Sequence, residues 1–212
     1  MEFITQYNNE EMVSQKDDIE FEIMTSPPSR SQTPVIQYAV FCQEAIHSAM
    51  EIVTTFDEGV ASWSILLPAV QSGKTDVFML VAAELLRREI KHHVVIFSGN
   101  CETQLKRQLQ AVIRGDVSND EPTFYHRYEH WLRHQSYTPF QFHELKRLIQ
   151  SKITLVWGAE LLQYDGPTEN IAVIWEESHH ASSKGNRPHK FLQKLGITAD
   201  GRVLAKRNVV LS

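Results

Sequence analysis

The run Ile65-Leu66-Leu67-Pro68-Ala69-Val70-Gln71-Ser72-Gly73-Lys74-Thr75 constrains this chain more than any other stretch. An apolar segment, Ile65 to Leu67, meets a short turn ending in Gly-Lys-Thr, and a second apolar segment, Val77 to Leu86, follows at once. That order predicts a strand, a phosphate-binding loop and a helix. Gly73 lets the backbone approach a phosphate with no Cβ in the way. The N–H groups of the loop and of the helix N-terminus present positive partial charge to an anion. Lys74 has the reach for β- and γ-phosphates, and the Thr75 hydroxyl is a ligand for Mg²⁺. The full GxxxxGK[ST] pattern is not met, because Pro68 stands where the first glycine would be.

Further along, Ile171-Ala172-Val173-Ile174-Trp175 reads as a fully buried strand, and Glu176-Glu177-Ser178-His179-His180 follows it. Two carboxylates at the C-terminal end of a buried parallel strand sit where open α/β sheets place their ligands. One of them can hold Mg²⁺ through water, and the other can orient or deprotonate an attacking water. Taken alone, the pair also fits a polar strand end facing solvent. Its position behind a Gly-Lys-Thr loop favours the functional reading.

Together these residues resemble the helicase-type ATPases of superfamily 2, the DEAD/DEAH-box-like group. Gln71-Ser72-Gly73-Lys74-Thr75 looks like that family's first motif, and Glu176-Glu177-Ser178-His179 like its Asp-Glu-x-His box. Val94 to Asn100 resembles the strand and loop of motif Ia. Ile153 to Leu162 resembles the strand before the acidic box and the Leu-rich helix after it. Val209-Val210-Leu211-Ser212 looks like the start of the Ser-Ala-Thr motif. The resemblance covers roughly residues 35–212, in the family's order. It implies a three-layer αβα RecA-like P-loop NTPase domain with a mainly parallel sheet, holding ATP and Mg²⁺. It also implies roles for three more residues. Gln43 resembles the upstream glutamine that reads the adenine edge, a task its paired donor and acceptor suit; Gln37 is a rival, and a solvent-facing helical glutamine the plain alternative. His179 would link the ATP site to an opposing lobe. Glu177 would act on the attacking water.

The chain departs from the family in two places. Glu176 replaces an aspartate and is one methylene longer, whereas Mg²⁺ demands near-ideal octahedral geometry. Trp175 is bulky for its position. The family's second RecA-like lobe, which carries arginine fingers and half of the nucleic-acid track, has no counterpart in the 212 residues. The expectation is therefore a first motor lobe over 34–212, cut from a larger protein, behind an acidic, flexible tail and linker over 1–33.

Composition agrees with a globular domain: 42% of residues are hydrophobic. No apolar run reaches the length of a membrane span, and Met1-Glu2-Phe3-Ile4 lacks the features of a signal peptide. Two cysteines, Cys42 and Cys101, suggest no disulfide framework and so an intracellular, reducing compartment. The net charge of -5 does not advertise nucleic-acid binding. Charge is segregated, however: Glu10 to Glu22 is acidic, while Lys184 to Arg207 is basic.

Apolar spacing predicts helices over 35–56, 74–90, 101–113, 140–150 and 188–195, alternating after the first with strands near 63–67, 94–97, 153–157, 171–175 and 208–211. The alternation implies a parallel sheet covered on both faces. Residues 114–139 read as an insertion. Within it, Phe124 to His134 interleaves aromatics with cations, which suits either stacked bases or an amphipathic helix packing through Tyr128, Trp131 and Leu132. The ten histidines form no Cys/His set at zinc spacing.

Three functions fit. The first is the N-terminal ATP-binding lobe of a nucleic-acid-dependent ATPase, a helicase or translocase. DNA or RNA would lie near Ser98–Asn100 and Gly158, with help from the basic 184–207 stretch. The second is another P-loop phosphoryl-transfer enzyme, such as a packaging motor or a nucleotide kinase. The third is a non-enzymatic binding module with a decayed ATP site.

Overall fold

In a computed structural model of the chain, residues 41–59, 63–65, 73–99, 103–116, 122–176, 178, 186–199, 202–203 and 208–211 are described. All of them lie in the unit Gln37–Ser212. The Ile171–Trp175 run forms strand β4, and every one of its residues is buried. It has neighbours on both sides. The sheet contains β1 (Trp63–Ile65), β2 (His93–Ser98), β3 (Ile153–Trp157), β4 and β7 (Asn208–Leu211), in the spatial order β1-β7-β4-β2-β3. Every pairing is parallel. Continuous Val/Ile runs are what a parallel sheet covered on both faces requires.

Successive side chains alternate between the two faces. Val94, Ile96, Ala172, Ile174 and Val210 pack against one helical layer. That layer holds α1 (Gln43–Asp57), α2 (Lys74–Arg87), α3 (Thr103–Arg114), α4 (Phe124–Arg133) and α5 (Pro139–Lys152). Val95, Phe97, Val173, Trp175 and Val209 face the other way. They pack against Leu161 and Tyr164, at and just beyond a short 3₁₀ helix (Gly158–Gln163), and against Phe191 and Leu192 of α6 (Arg187–Lys194). The right-handedness of parallel crossovers explains the division. The path β1→β2→β3 steps across the sheet in one direction and puts its helices on one face. The return β3→β4→β7 steps back and puts α6 on the opposite face.

Helix α2 is central to the first layer. Every residue from Val77 to Leu86 is buried, so its apolar segment is covered all round, as an unbroken apolar helix must be. Glu84 is the polar exception, and its carboxylate is fully satisfied. Arg87 donates to both oxygens at 2.7 and 2.6 Å, Arg88 donates at 3.0 Å, and the buried Tyr128 hydroxyl of α4 donates at 2.6 Å. Burial, followed by the nearby Glu84 charge, pushes the Tyr128 phenol well above its ordinary range. Helix α5 starts with a capping box, Thr138 with Gln141, and with Pro139 in its first turn.

The expected elements are present, with three differences. The first helix starts at Gln43, not near 35: Cys42 is its N-cap, with extended backbone at φ -65 and ψ 149. Residues 35–40 lie outside the described set. The Leu-rich segment after β3 is a 3₁₀ helix, begun by Gly158 at φ +55. A two-residue antiparallel pair, β5 (Thr198–Ala199) with β6 (Arg202–Val203), was not expected, being too short to show a period. The 114–139 stretch contains α4, whose Phe124, Tyr125, Tyr128 and Leu132 are buried in the first layer. Tyr128 stacks on Trp131 at 5.8 Å, so the helix packs through its aromatic face. Among the described residues no helix is long and apolar enough to cross a membrane.

Candidate functional site

Ligands of open parallel sheets bind beyond the C-terminal strand ends, where the chain leaves neighbouring strands toward opposite faces. Here the two exits belong to β1 and β4, with β7 between them. After β1 the chain enters α2 on one face; after β4, two positions away, it leads to α6 on the other. Both sequence motifs lie at these two exits.

Gly73 is the N-cap of α2, with φ +134. Only glycine adopts that backbone readily. A Cβ built on it would meet nothing within 4 Å among the described residues. Conformation therefore requires the glycine. The first helical hydrogen bond runs from Val77 N–H to Gly73 C=O at 3.0 Å. The N–H groups of the first turn have no intrahelical acceptor, and the N-cap supplies no side-chain oxygen to them. Lys74 and Thr75 open the helix, both half-buried. Gln71 and Ser72 lie outside the described residues.

Glu176 directly follows β4 and is 3% exposed. Its backbone N–H donates to Phe97 C=O of β2 at 2.9 Å, extending the strand pairing by one residue and fixing where the carboxylate begins. By alternation it shares the α2 face with Ile174. Trp175 takes the opposite face, where it stacks on Phe97 at 5.4 Å and belongs to the α6 cluster. Its bulk thus fills the second layer. Glu177 and His179 lie outside the described residues. Gln43 is the exposed first residue of α1.

The other expected positions fall on the same strand-end edge. Ser98 ends β2 and is fully buried, Gly99 is half-buried, and Asn100 lies outside the described residues. Gly158 follows β3 and is buried. Beyond it, Lys106 of α3 donates to both Glu160 oxygens at 2.5 and 2.6 Å, and the Trp157 N–H donates at 3.3 Å. The Lys106 hydrogen bond holds the Glu160 carboxyl below its ordinary value despite partial desolvation. Of the basic stretch, Arg187, Lys190 and Lys194 of α6 are exposed. Among the described residues, no group of three His, Cys, Asp or Glu side chains could hold a metal by itself.

Two residues not singled out by sequence meet at the first turn of α2. Asp76, in the first turn of α2, accepts two hydrogen bonds from Arg127 of α4, at 2.5 and 2.7 Å. The Arg127 guanidinium also lies 4.8 Å from the Phe41 ring centroid. Asp76 directly follows the Gly-Lys-Thr triplet, which could have marked it; nothing in the sequence marks Arg127 as its partner. Comparison with known protein families, curated proteins and solved structures returns no match.

Proposed function

We propose that this chain is an N-terminal, RecA-like P-loop lobe that binds ATP with Mg²⁺ in a nucleic-acid-dependent ATPase, a helicase or translocase. One observation carries the reading: a glycine at φ +134 opens α2 at the sheet edge where the buried Glu176 ends β4. A glycine-capped helix start suits a phosphate. A carboxylate at the same strand-end edge suits the metal that accompanies it.

The residues divide the work. Lys74 neutralises β- and γ-phosphate oxygens, and the first-turn N–H groups of α2, with Gln71 and Ser72 before them, cradle the chain of phosphates. Thr75 and Glu176 would be the residues that hold Mg²⁺. When bound, Mg²⁺ would supply neutralising charge to the phosphates. Glu177 orients and deprotonates the attacking water. Gln43 reads the adenine edge, and His179 faces a second lobe. DNA or RNA lies along the strand-end edge near Ser98 and Gly158, where Arg187 and Lys190 contribute phosphate contacts.

Glu177→Gln keeps the shape and reach of the side chain and removes its basicity. Measured in the two-lobe parent with single-stranded oligonucleotide present, this variant should bind ATP normally and lose turnover. Normal turnover would remove Glu177 from the mechanism. A parent that binds ATP but shows no stimulated turnover would instead favour the binding-module alternative.

A further inference from the structure

We infer that Arg127 is a positioning residue for the phosphate loop: it neutralises and fixes Asp76, which would otherwise compete with the bound polyphosphate for the α2 N-terminus. The inference rests on the ATP-binding reading above.

The physical problem is local. A carboxylate in the first turn of a helix is attracted to the positive end of the helix dipole. That same end is what a phosphate binds. Asp76 is two residues from Lys74, less than one helical turn of about 5.4 Å. Its negative charge, so close to the helix N-terminus, repels the phosphate charge. A phosphate loop followed by an unneutralised aspartate is therefore poorly adapted to a highly charged ligand.

The structure answers this with a rigid cation. Arg127 grips Asp76 through both terminal nitrogens, the bidentate geometry that guanidinium and carboxylate match best. The partners are 20% and 25% exposed, sheltered enough for their charges to be weakly screened. Phe41 lies against the guanidinium, and Phe41 in turn packs on Phe124 at 5.6 Å. Arg127 is thus held from both sides. Helix α4 is anchored to α2 a second time, two turns further on, by Tyr128 to Glu84. With α4 fixed there, Arg127 has little freedom to leave Asp76. Phe41 is two residues before Gln43, so the same guanidinium ties the loop to the segment proposed to read the base.

The test is equilibrium binding of AMP, ADP and ATP, with Mg²⁺, to the 212-residue chain. Four proteins are compared: the unaltered chain, Arg127→Met, Asp76→Asn, and the double variant. If Asp76 acts by charge, Arg127→Met should weaken ATP by about tenfold, ADP less and AMP least, since repulsion grows with ligand charge. Adding Asp76→Asn to it should restore most of the ATP affinity, although the pair's hydrogen bonds and its contribution to melting temperature stay lost. A merely structural contact would weaken all three ligands alike and would not be rescued by a second loss. Asp76→Asn alone should bind ATP at least as tightly as the unaltered chain. This arm decides the matter if Arg127→Met fails to fold. Equal ATP affinity in Arg127→Met, loss independent of phosphate number, or weaker binding in Asp76→Asn would each overturn the inference while leaving the site reading intact. Failure of the unaltered chain to bind ATP would overturn both.

Discussion

Glu84 shows how much one side chain can control. It is a carboxylate with no exposure inside a helix buried from Val77 to Leu86. It is stable there because Arg87, Arg88 and Tyr128 donate to it. Removing one partner of such a group leaves uncompensated buried charge or unmet donors. Glu84→Ala should therefore cost about 3–5 kcal/mol. Tyr128→Phe, which leaves the carboxylate its two arginines, should cost about 1.5–3 kcal/mol. Urea unfolding midpoints measure both. A Glu84→Ala loss below that of Tyr128→Phe would mean that the network is not what holds α4 to α2. None of this was legible in sequence. Glu84 reads as an ordinary charge in an apolar run, and Tyr128 follows it by 44 residues, a distance over which spacing carries no information. The same holds for Asp76 and Arg127, whose pairing exists only once α4 is packed.

At the level of elements, the readable parts were those whose environment is uniform. β2, β4 and the α2 core are buried on every side, so their sequences are continuous apolar runs and their boundaries fell close to expectation. The readable limits failed where local geometry decides. The start of α1 depends on the extended backbone at Cys42 and not on the apolar spacing, which runs back to Val35. The β2–β3 edge adds a pH dependence. Its buried His93 shares a 2.8 Å hydrogen bond with Thr154 of β3, and burial, then the Lys152 charge, lower the His93 value below 6.5. The unfolded chain takes up a proton on this histidine near its ordinary value, and the folded chain resists. Between the two values the unfolded state binds more protons, so stability is present above 6.5 and is lost as pH falls toward the folded value. His93→Gln should thus show a smaller fall in urea midpoint between pH 7.5 and pH 5.5 than the unaltered protein. Equal falls in the two proteins would remove His93 from the acid response.

For the whole molecule, sheet order does what neither motif does alone. Gly73-Lys74-Thr75 and Glu176 are far apart in sequence, and each has an unremarkable reading by itself. The order β1-β7-β4-β2-β3 puts the exits of β1 and β4 at one edge, with helices leaving toward opposite faces. The alternation of strand and helix patterns implied an α/β fold with a parallel sheet between helices, and the structure has that architecture. The most direct test of the central claim is titration of the 212-residue chain and of Lys74→Ala with Mg-ATP, each checked for an unchanged melting temperature. Lys74 is half-buried at the start of α2, outside the apolar core, so its loss should leave the fold intact. Saturable binding is expected for the unaltered chain, with at least a tenfold loss in Lys74→Ala, the scale of roughly 1.4 kcal/mol. Saturable binding of equal strength in both proteins, or none in the unaltered chain, would contradict it.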